Sequence, residues 1–167
     1  MNTRWMTPLF AALVTIGLTA VPASAQTYTL TAKLNGGQET PAPGINTGAF
    51  GDATVVVNLS DRTVSWTVNV FNLPSGVTAG HIHVGAAGTP GPTVINFAVP
   101  TSASNDFAIT GSAVDTTFTL RPDQGLRSAD DVFQAILGEN MYVNVHTTVN
   151  TGGEIRGQLT MKPTLRQ

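Results

Sequence analysis

Residues 63–70 read TVSWTVNV, and this alternation of apolar and polar side chains decides the fold class. Successive side chains of a β-strand point to opposite faces, so the three valines and Trp66 share one face while the polar residues share the other. Residues 60–62, Ser-Asp-Arg, come directly before this stretch and are typical of a tight hairpin turn. The stretch therefore predicts a strand that follows a hairpin and has one apolar face.

Similar segments, rich in β-branched residues, recur along the chain between short clusters of turn residues. The predicted strands are residues 28–34, 53–59, 63–72, 79–85, 93–99, 107–120, 141–148 and 154–161. One helix is predicted as well: Ser128 caps its start, Asp130 and Asp131 lie in its first turn, and Gly138 ends it. About eight strands with one short helix predict an all-β fold, either a Greek-key β-sandwich or a barrel.

The first 25 residues have the pattern of a signal peptide for export. Arg4 gives a short positive region, residues 8–21 are uncharged and largely apolar, and residues 23–25, Ala-Ser-Ala, form a small-x-small cleavage motif. The apolar part is shorter than the about 20 residues that a membrane-spanning helix needs. We therefore expect a signal peptide over residues 1–25 and an exported mature protein, in the periplasm or outside the cell, with no membrane span.

The composition of the mature part excludes several classes of function. One domain is expected over residues 26–161, with a loose tail over residues 162–167. Once Arg4 is removed, seven basic residues face ten acidic ones, and this weak net charge argues against nucleic acid as a partner. The chain has no cysteine, which excludes disulfides, thiolate metal sites and cysteine nucleophiles.

The three histidines of the chain lie near the ends of valine-rich predicted strands. His81 and His83 are two residues apart, so in a strand they point to the same face about 6–7 Å apart. His146 ends another apolar run and falls on its more polar face. Imidazole is a good ligand for copper, zinc, iron and nickel, so the pattern indicates a three-histidine metal site. The alternative is that the histidines are surface residues or hydrogen-bonded partners.

Several charged residues are candidates for supporting roles around such a site. Glu39 and Glu154 could orient a ligand imidazole through a hydrogen bond, although a loop carboxylate is more often simply solvated. Arg156 could form a structural ion pair with either of them. Asp130 and Asp131 are interpreted as part of the helix start, because carboxylates stabilise the positive end of a helix.

Three motifs resemble the CHRD domain, a module first described in chordin and widespread in bacterial exported proteins. Residues 34–41, LNGGQETP, resemble its opening L-x-G-x-Q-E-x-P, and residues 79–91 resemble its central His-x-His-x-Gly loop. Residues 142–147 together with 153–159 resemble its closing signature. The presence of this module in chordin favours a non-catalytic extracellular module that binds a protein or polymer or contributes to matrix structure.

A second resemblance, to copper–zinc superoxide dismutases, implies a redox function. A His-x-His pair, a later strand that ends in His and a Gly-rich turn with an Arg occur in similar order in those Greek-key β-sandwich enzymes. The resemblance implies copper bound by His81, His83 and His146, with Arg156 as the catalytic cation that guides superoxide.

This chain departs from those enzymes because it has no bridging fourth histidine, no zinc cluster and no disulfide. The resemblance therefore implies a copper-only site with an open metal face. We expect a copper-binding, superoxide-dismutating protein, with zinc or another divalent metal as the alternative ion. The sequence indicates no particular protein partner.

Overall fold

The structure, a computed structural model, describes residues 26–101 and 105–162. Within these residues the chain forms nine strands and one α-helix. The strands are β1 Thr27–Asn35, β2 Phe50–Asn58, β3 Thr63–Phe71, β4 Val77–Val84, β5 Thr93–Asn96, β6 Phe107–Val114, β7 Met141–Thr147, β8 Ile155–Gln158 and β9 Thr160–Met161, and the helix α1 is Ala129–Leu137. The predicted signal peptide, and the predicted tail beyond Lys162, lie outside the described residues.

All nine strands belong to one antiparallel sheet with the order β5-β4-β7-β8-β1-β2-β3-β6, and β9 pairs with β1. The sheet curls into a nearly closed barrel. Inside it, Trp66 of β3 stacks on Phe97, just beyond β5, with ring centroids 4.5 Å apart. The two ends of the sheet therefore meet across one core, and the predicted all-β fold is confirmed.

The alternating apolar side chains that predict β3 also form part of the core. In the register of β2 and β3, Val57 pairs with Val64 and Val55 pairs with Trp66, and all four side chains are buried. Burial of apolar surface supplies about 25 cal/mol per Å², so this face is the one that the sheet turns inward. The polar residues between them lie on the outer face of the sheet.

Helix α1 forms where the sequence predicts it. The Ser128 hydroxyl accepts a hydrogen bond from the Asp131 amide at 3.2 Å, and the Asp131 carboxylate accepts one from the Ser128 amide at 2.9 Å. This reciprocal pair satisfies two amides at the helix start. Val132, Phe133 and Ile136 then pack into the core. No helix in residues 26–101 or 105–162 combines the length and the apolar character needed to cross a membrane.

Several strand boundaries differ from the prediction, and the reasons are visible in the structure for the following ones. The strand predicted to reach residue 120 ends at Val114, because the chain turns through Asp115–Thr117 and the Thr119 amide donates to the Val94 carbonyl at 2.9 Å. The last predicted strand is split into β8 and β9. Conversely, β2 begins at Phe50, before the predicted start at residue 53, because Gly51 fits against the Asn69 backbone, where a Cβ would come within 2.5 Å of the carbonyl oxygen.

Candidate metal centre

The central strands β4 and β7 separate their side chains cleanly between the two faces of the sheet. Ile82 of β4 and Val143 of β7 enter the core and are fully buried. Their neighbours along each strand point to the opposite, outer face, because side chains alternate. This places His81, His83 and His146 on one outer face of two adjacent strands, as the His-x-His spacing predicts.

The strand register arranges the polar residues of this outer face in rows. His83 lies opposite Tyr142, and His81 lies opposite Asn144. On the other side of β7, Asn144 lies opposite Arg156 of β8. Loops cover this face, so these residues are withdrawn from solvent: Asn144 is 4 % exposed and Arg156 only 2 %. The sheet therefore carries a buried polar layer outside its apolar core.

The three histidines form one compact cluster. His81 Nδ1 lies 3.0 Å from His146 Nε2, and one ring nitrogen from each of the three residues lies within 4.8 Å of the others. The ring centroid of His83 is 5.2 Å from that of His81 and 5.8 Å from that of His146. His81 is half-buried, whereas His83 and His146 are buried. The structure thus brings together the three residues predicted as metal ligands.

Backbone carbonyls fix the tautomers of two of the rings. His83 Nδ1 donates to the Gly91 carbonyl at 2.9 Å, and His146 Nδ1 donates to the Thr151 carbonyl at 3.0 Å. A carbonyl oxygen can only accept, so both Nδ1 atoms carry the proton and both Nε2 atoms carry a lone pair. His81 makes no such carbonyl bond and presents Nδ1 to the cluster. The donor set is therefore Nδ1 of His81 with Nε2 of His83 and His146.

The cluster stays uncharged at neutral pH. Burial is the main reason that the pKa of His81 and of His83 falls to about 4; neighbouring imidazoles act in the same direction, and the Gly91 carbonyl opposes the shift at His83. Burial also lowers the pKa of His146, against the opposing bond to Thr151. Neutral imidazole is the form that binds metal, so protons compete little with an ion at these nitrogens.

One known protein family matches most of the chain. The family model for the CHRD domain matches residues 30–159, which span all three motifs of the sequence. This chain belongs to the CHRD domain family. Comparison with the curated proteins and with the solved structures found no match. The resemblance of this CHRD domain to copper–zinc superoxide dismutases thus rests on the order of its motifs alone.

Arg156 of this CHRD domain lies on the same outer face as the histidines and is buried beneath the loop of residues 85–92. Its Nη2 donates to the carbonyls of Ala86 at 3.0 Å and Thr89 at 2.9 Å, and its Cζ lies 3.4 Å from the ring centroid of Tyr142. Burial lowers the pKa of Arg156, while Tyr142 and Glu39 oppose that shift. Arg156 therefore anchors the loop of residues 85–92, and its catalytic role stays a prediction.

Tyr142, to which the sequence assigns no role, connects that loop to the cluster. Its ring stacks on His83 with centroids 5.0 Å apart and planes at 6°. Its hydroxyl accepts a hydrogen bond from the Gly91 amide at 3.1 Å. Because β4 and β8 flank β7 on opposite sides, His83 and Arg156 approach the Tyr142 ring from opposite strands. The only signal in the sequence is that Tyr142 shares the polar face of β7 with His146.

Neither predicted carboxylate orients a ligand histidine directly. Among the described residues, the hydrogen bonds that the histidine rings make go to backbone carbonyls and between His81 and His146. Glu154 is fully buried and accepts hydrogen bonds from the Thr147 hydroxyl at 2.9 Å and from Asn150 Nδ2 at 2.6 Å. Glu154 therefore holds the turn of residues 147–151 that presents the Thr151 carbonyl to His146.

Glu39 lies on the other side of Asn144 from the histidines. Its Oε2 accepts a hydrogen bond from Asn144 Nδ2 at 3.4 Å, and its side chain is buried. Burial raises the pKa of Glu39 to about 7, against the opposing influence of Arg156 and of the Asn144 bond. The predicted ion pair between Arg156 and either carboxylate does not form within the described part of the chain.

Proposed function

We propose that this CHRD protein is exported, binds one copper ion through His81, His83 and His146, and dismutates superoxide. The observation that supports the proposal is the convergence of three imidazole nitrogens within 4.8 Å on one outer face of the sheet. Export, to the periplasm or outside the cell, is part of the proposal and rests on the pattern of residues 1–25.

The donor set fits copper. His83 Nε2 is buried and has no hydrogen-bond partner among the described residues, although a buried polar atom is costly to leave unpaired. Imidazole ligands suit copper and zinc, and copper(II) binds such sites most tightly among the divalent metals of the first row. Bound copper would supply one-electron chemistry between Cu(II) and Cu(I), by which one superoxide is oxidised to dioxygen and a second is reduced to hydrogen peroxide.

The protein's own residues would support this chemistry in two ways. The carbonyls of Gly91 and Thr151 keep two rings in the tautomer that offers Nε2. Arg156 lies two strands away from His81, in the row that passes through Asn144. Its fixed positive charge would favour the approach of an anion. A buried guanidinium acts through its field rather than by touching the substrate.

A non-catalytic extracellular module is the second candidate function. The distance of 3.0 Å between His81 Nδ1 and His146 Nε2 favours it, because a hydrogen bond of this length joins β4 to β7 directly. Under this hypothesis the histidines form a structural hydrogen-bonded cluster or a structural zinc site, and the exposed loops contact a protein or polymer.

One set of measurements tests the proposal. Protein purified from the exporting compartment is analysed for metals, and metal-free protein is titrated with Cu(II) under electron paramagnetic resonance. We expect one equivalent with nitrogen ligation, lost when all three histidines are replaced by alanine. Gln124→Ala, an exposed position of the Pro122–Gln124 turn, is the matched control and should bind as the wild type does.

The activity follows in a second step. Copper-loaded protein should remove superoxide faster than the same concentration of free copper, and the triple variant should not. Equal copper binding by the wild type and the triple variant would contradict the site. Copper or zinc binding without superoxide removal would favour the non-catalytic module.

A further inference from the structure

Two buried acceptor oxygens lie together next to the histidine cluster, and neither accepts a hydrogen bond from a described residue. Within the described chain, Glu39 Oε1 and Asn144 Oδ1 have no hydrogen-bond partner. Both oxygens, and Asn144 Nδ2 as well, lie 2.7 Å from the point where Gly153 would carry a Cβ. The carboxyl and the amide therefore share the small space above Gly153. Two unpaired acceptors in a buried space are unfavourable, since each loses its water.

Rotating the amide does not remove this conflict. Asn144 Nδ2 already donates to Glu39 Oε2, and exchanging the amide nitrogen and oxygen only moves the unpaired contact to the other carboxyl oxygen. A carboxylate has four acceptor sites and no donor, whereas a carboxylic acid offers one O–H. A protonated Glu39 would satisfy both oxygens, because its O–H would donate to Asn144 Oδ1 while Asn144 Nδ2 donates to its carbonyl oxygen.

We propose that Glu39 is a carboxylic acid paired with the Asn144 amide, and that this acid–amide pair stores a proton for the reduction of superoxide at the neighbouring site. The role in superoxide reduction rests on the proposed function, whereas the protonated pair does not.

The electrostatic surroundings of Glu39 support the exchange of a proton near neutral pH. Burial raises its pKa to about 7, and Glu154 acts in the same direction. Arg156, the Asn144 bond and the Thr40 amide oppose the shift. A group whose pKa lies near the working pH can both give up and recover its proton. Arg156 then stabilises the carboxylate that remains.

The location connects the pair with both the histidines and solvent. Asn144 lies directly across from His81 in the sheet, so the acid is one side chain removed from the cluster. Two surface hollows of about 310 Å³ and 240 Å³ meet at Glu39. Water in these hollows can return a proton to the carboxylate.

The proton balance of the reaction defines the role of the pair. Reducing one superoxide to hydrogen peroxide consumes one electron, supplied by the reduced metal, and two protons. One proton comes from Glu39, which becomes a carboxylate, and the other comes from water. Glu39 is not a catalytic residue in this scheme, because it contacts Asn144 and not the reacting atoms, and its proton passes through intervening water.

Infrared spectroscopy of metal-free protein tests the pair without copper or activity. Ordinary Asp and Glu titrate near pH 4, so only a carboxyl with a raised pKa keeps its proton above about pH 6. We expect a carboxylic-acid carbonyl band that disappears with a midpoint near the pKa of about 7. Glu39→Gln should lack the band, and Glu154→Gln, which alters the other buried glutamate, should keep it. Absence of the band, or its persistence in Glu39→Gln, overturns the inference.

The pH profile of superoxide removal tests the role. In copper-loaded wild type the rate should fall as the pH rises through about 7, whereas Glu39→Gln should lack that step and be at least about tenfold slower below it. An unchanged step in Glu39→Gln overturns the proton-store role. If wild type binds no copper, the proposed function fails while the infrared titration still decides whether the pair exists.

Discussion

Replacement of Arg156 by methionine tests how the buried layer supports the histidines. Methionine keeps much of the side-chain length but removes the charge, the two hydrogen bonds from Nη2 and the contact with the Tyr142 ring. A hydrogen bond from a charged donor contributes about 1.5–3 kcal/mol, and a desolvated cation–π contact contributes about 2 kcal/mol. Two terms reduce the net loss: Ala86 and Thr89 are exposed, so water can reach their carbonyls, and the guanidinium no longer has to be desolvated. We expect the free energy of unfolding to fall by about 2–4 kcal/mol.

The same change should weaken copper binding. Without Arg156 the loop of residues 85–92 loses two of its anchors, and the Gly91 carbonyl that fixes His83 becomes mobile. Loss of such an outer support costs about 10–100-fold in metal affinity. The assays are urea denaturation of metal-free protein and competition with a copper chelator.

Arg121→Met is the matched control for this substitution. Arg121 also donates to a backbone carbonyl, that of Thr93 at 2.9 Å, but among the described residues it makes no hydrogen bond to the histidine rings or to the loop of residues 85–92. It should lose about 1 kcal/mol of stability and keep the copper affinity of the wild type. Wild-type affinity in Arg156→Met, despite lower stability, would refute the connection from Arg156 through the loop to His83.

Three further changes test other parts of the layer. The pKa values of His81 and His83 fall from 6.5 to about 4 on folding, so the unfolded chain binds more protons than the folded chain between these pH values. The stability of metal-free protein should therefore decrease as the pH is lowered from 6.5 to about 4, which a series of denaturation curves measures. Glu154→Gln should lower copper affinity about tenfold in chelator competition, because it loosens the turn that presents a carbonyl to the third histidine; an unchanged affinity would show that the turn holds without the carboxylate. Gly153→Ala should lower the free energy of unfolding by about 1–3 kcal/mol, because φ is +141° there and a Cβ would collide with the acid–amide pair, whereas Gly152→Ala, with nothing within 4 Å, should be nearly neutral.

Much of the fold follows from local patterns in the sequence. The alternation in residues 63–70 identifies β3 and its buried face, and the Ser128 capping pattern identifies the start of α1. The strand ends are less predictable, because they depend on contacts that are distant in sequence. The chain leaves β6 after Val114, and its return to β5 depends on the bond from the Thr119 amide to the Val94 carbonyl, 25 residues away in sequence.

The sequence likewise predicts only part of the candidate metal centre. The period of two places His81 and His83 on one face, and the polar side of β7 places His146 beside them. The partners that fix the tautomers are the carbonyls of Gly91 and Thr151, and a backbone carbonyl has no signature in sequence. Their positions depend on the paths of two loops. The sequence therefore identifies the candidate ligands but not the atoms that orient them.

The burial of so many polar groups supports a functional role for the outer face of β4, β7 and β8. The apolar core on the other face of the sheet is complete without the layer, since Ile82, Val143 and Val145 are fully buried there. Burying the Arg156 guanidinium costs several kcal/mol before pairing, and a domain without cysteines has no disulfide to offset that cost. A sheet with solvated polar residues on an open outer face would also fold, without this desolvation cost. The layer instead buries three imidazoles with lowered pKa values beside Arg156. A cluster of perturbed ionisable groups is characteristic of a functional site, and such a role explains why this face is buried.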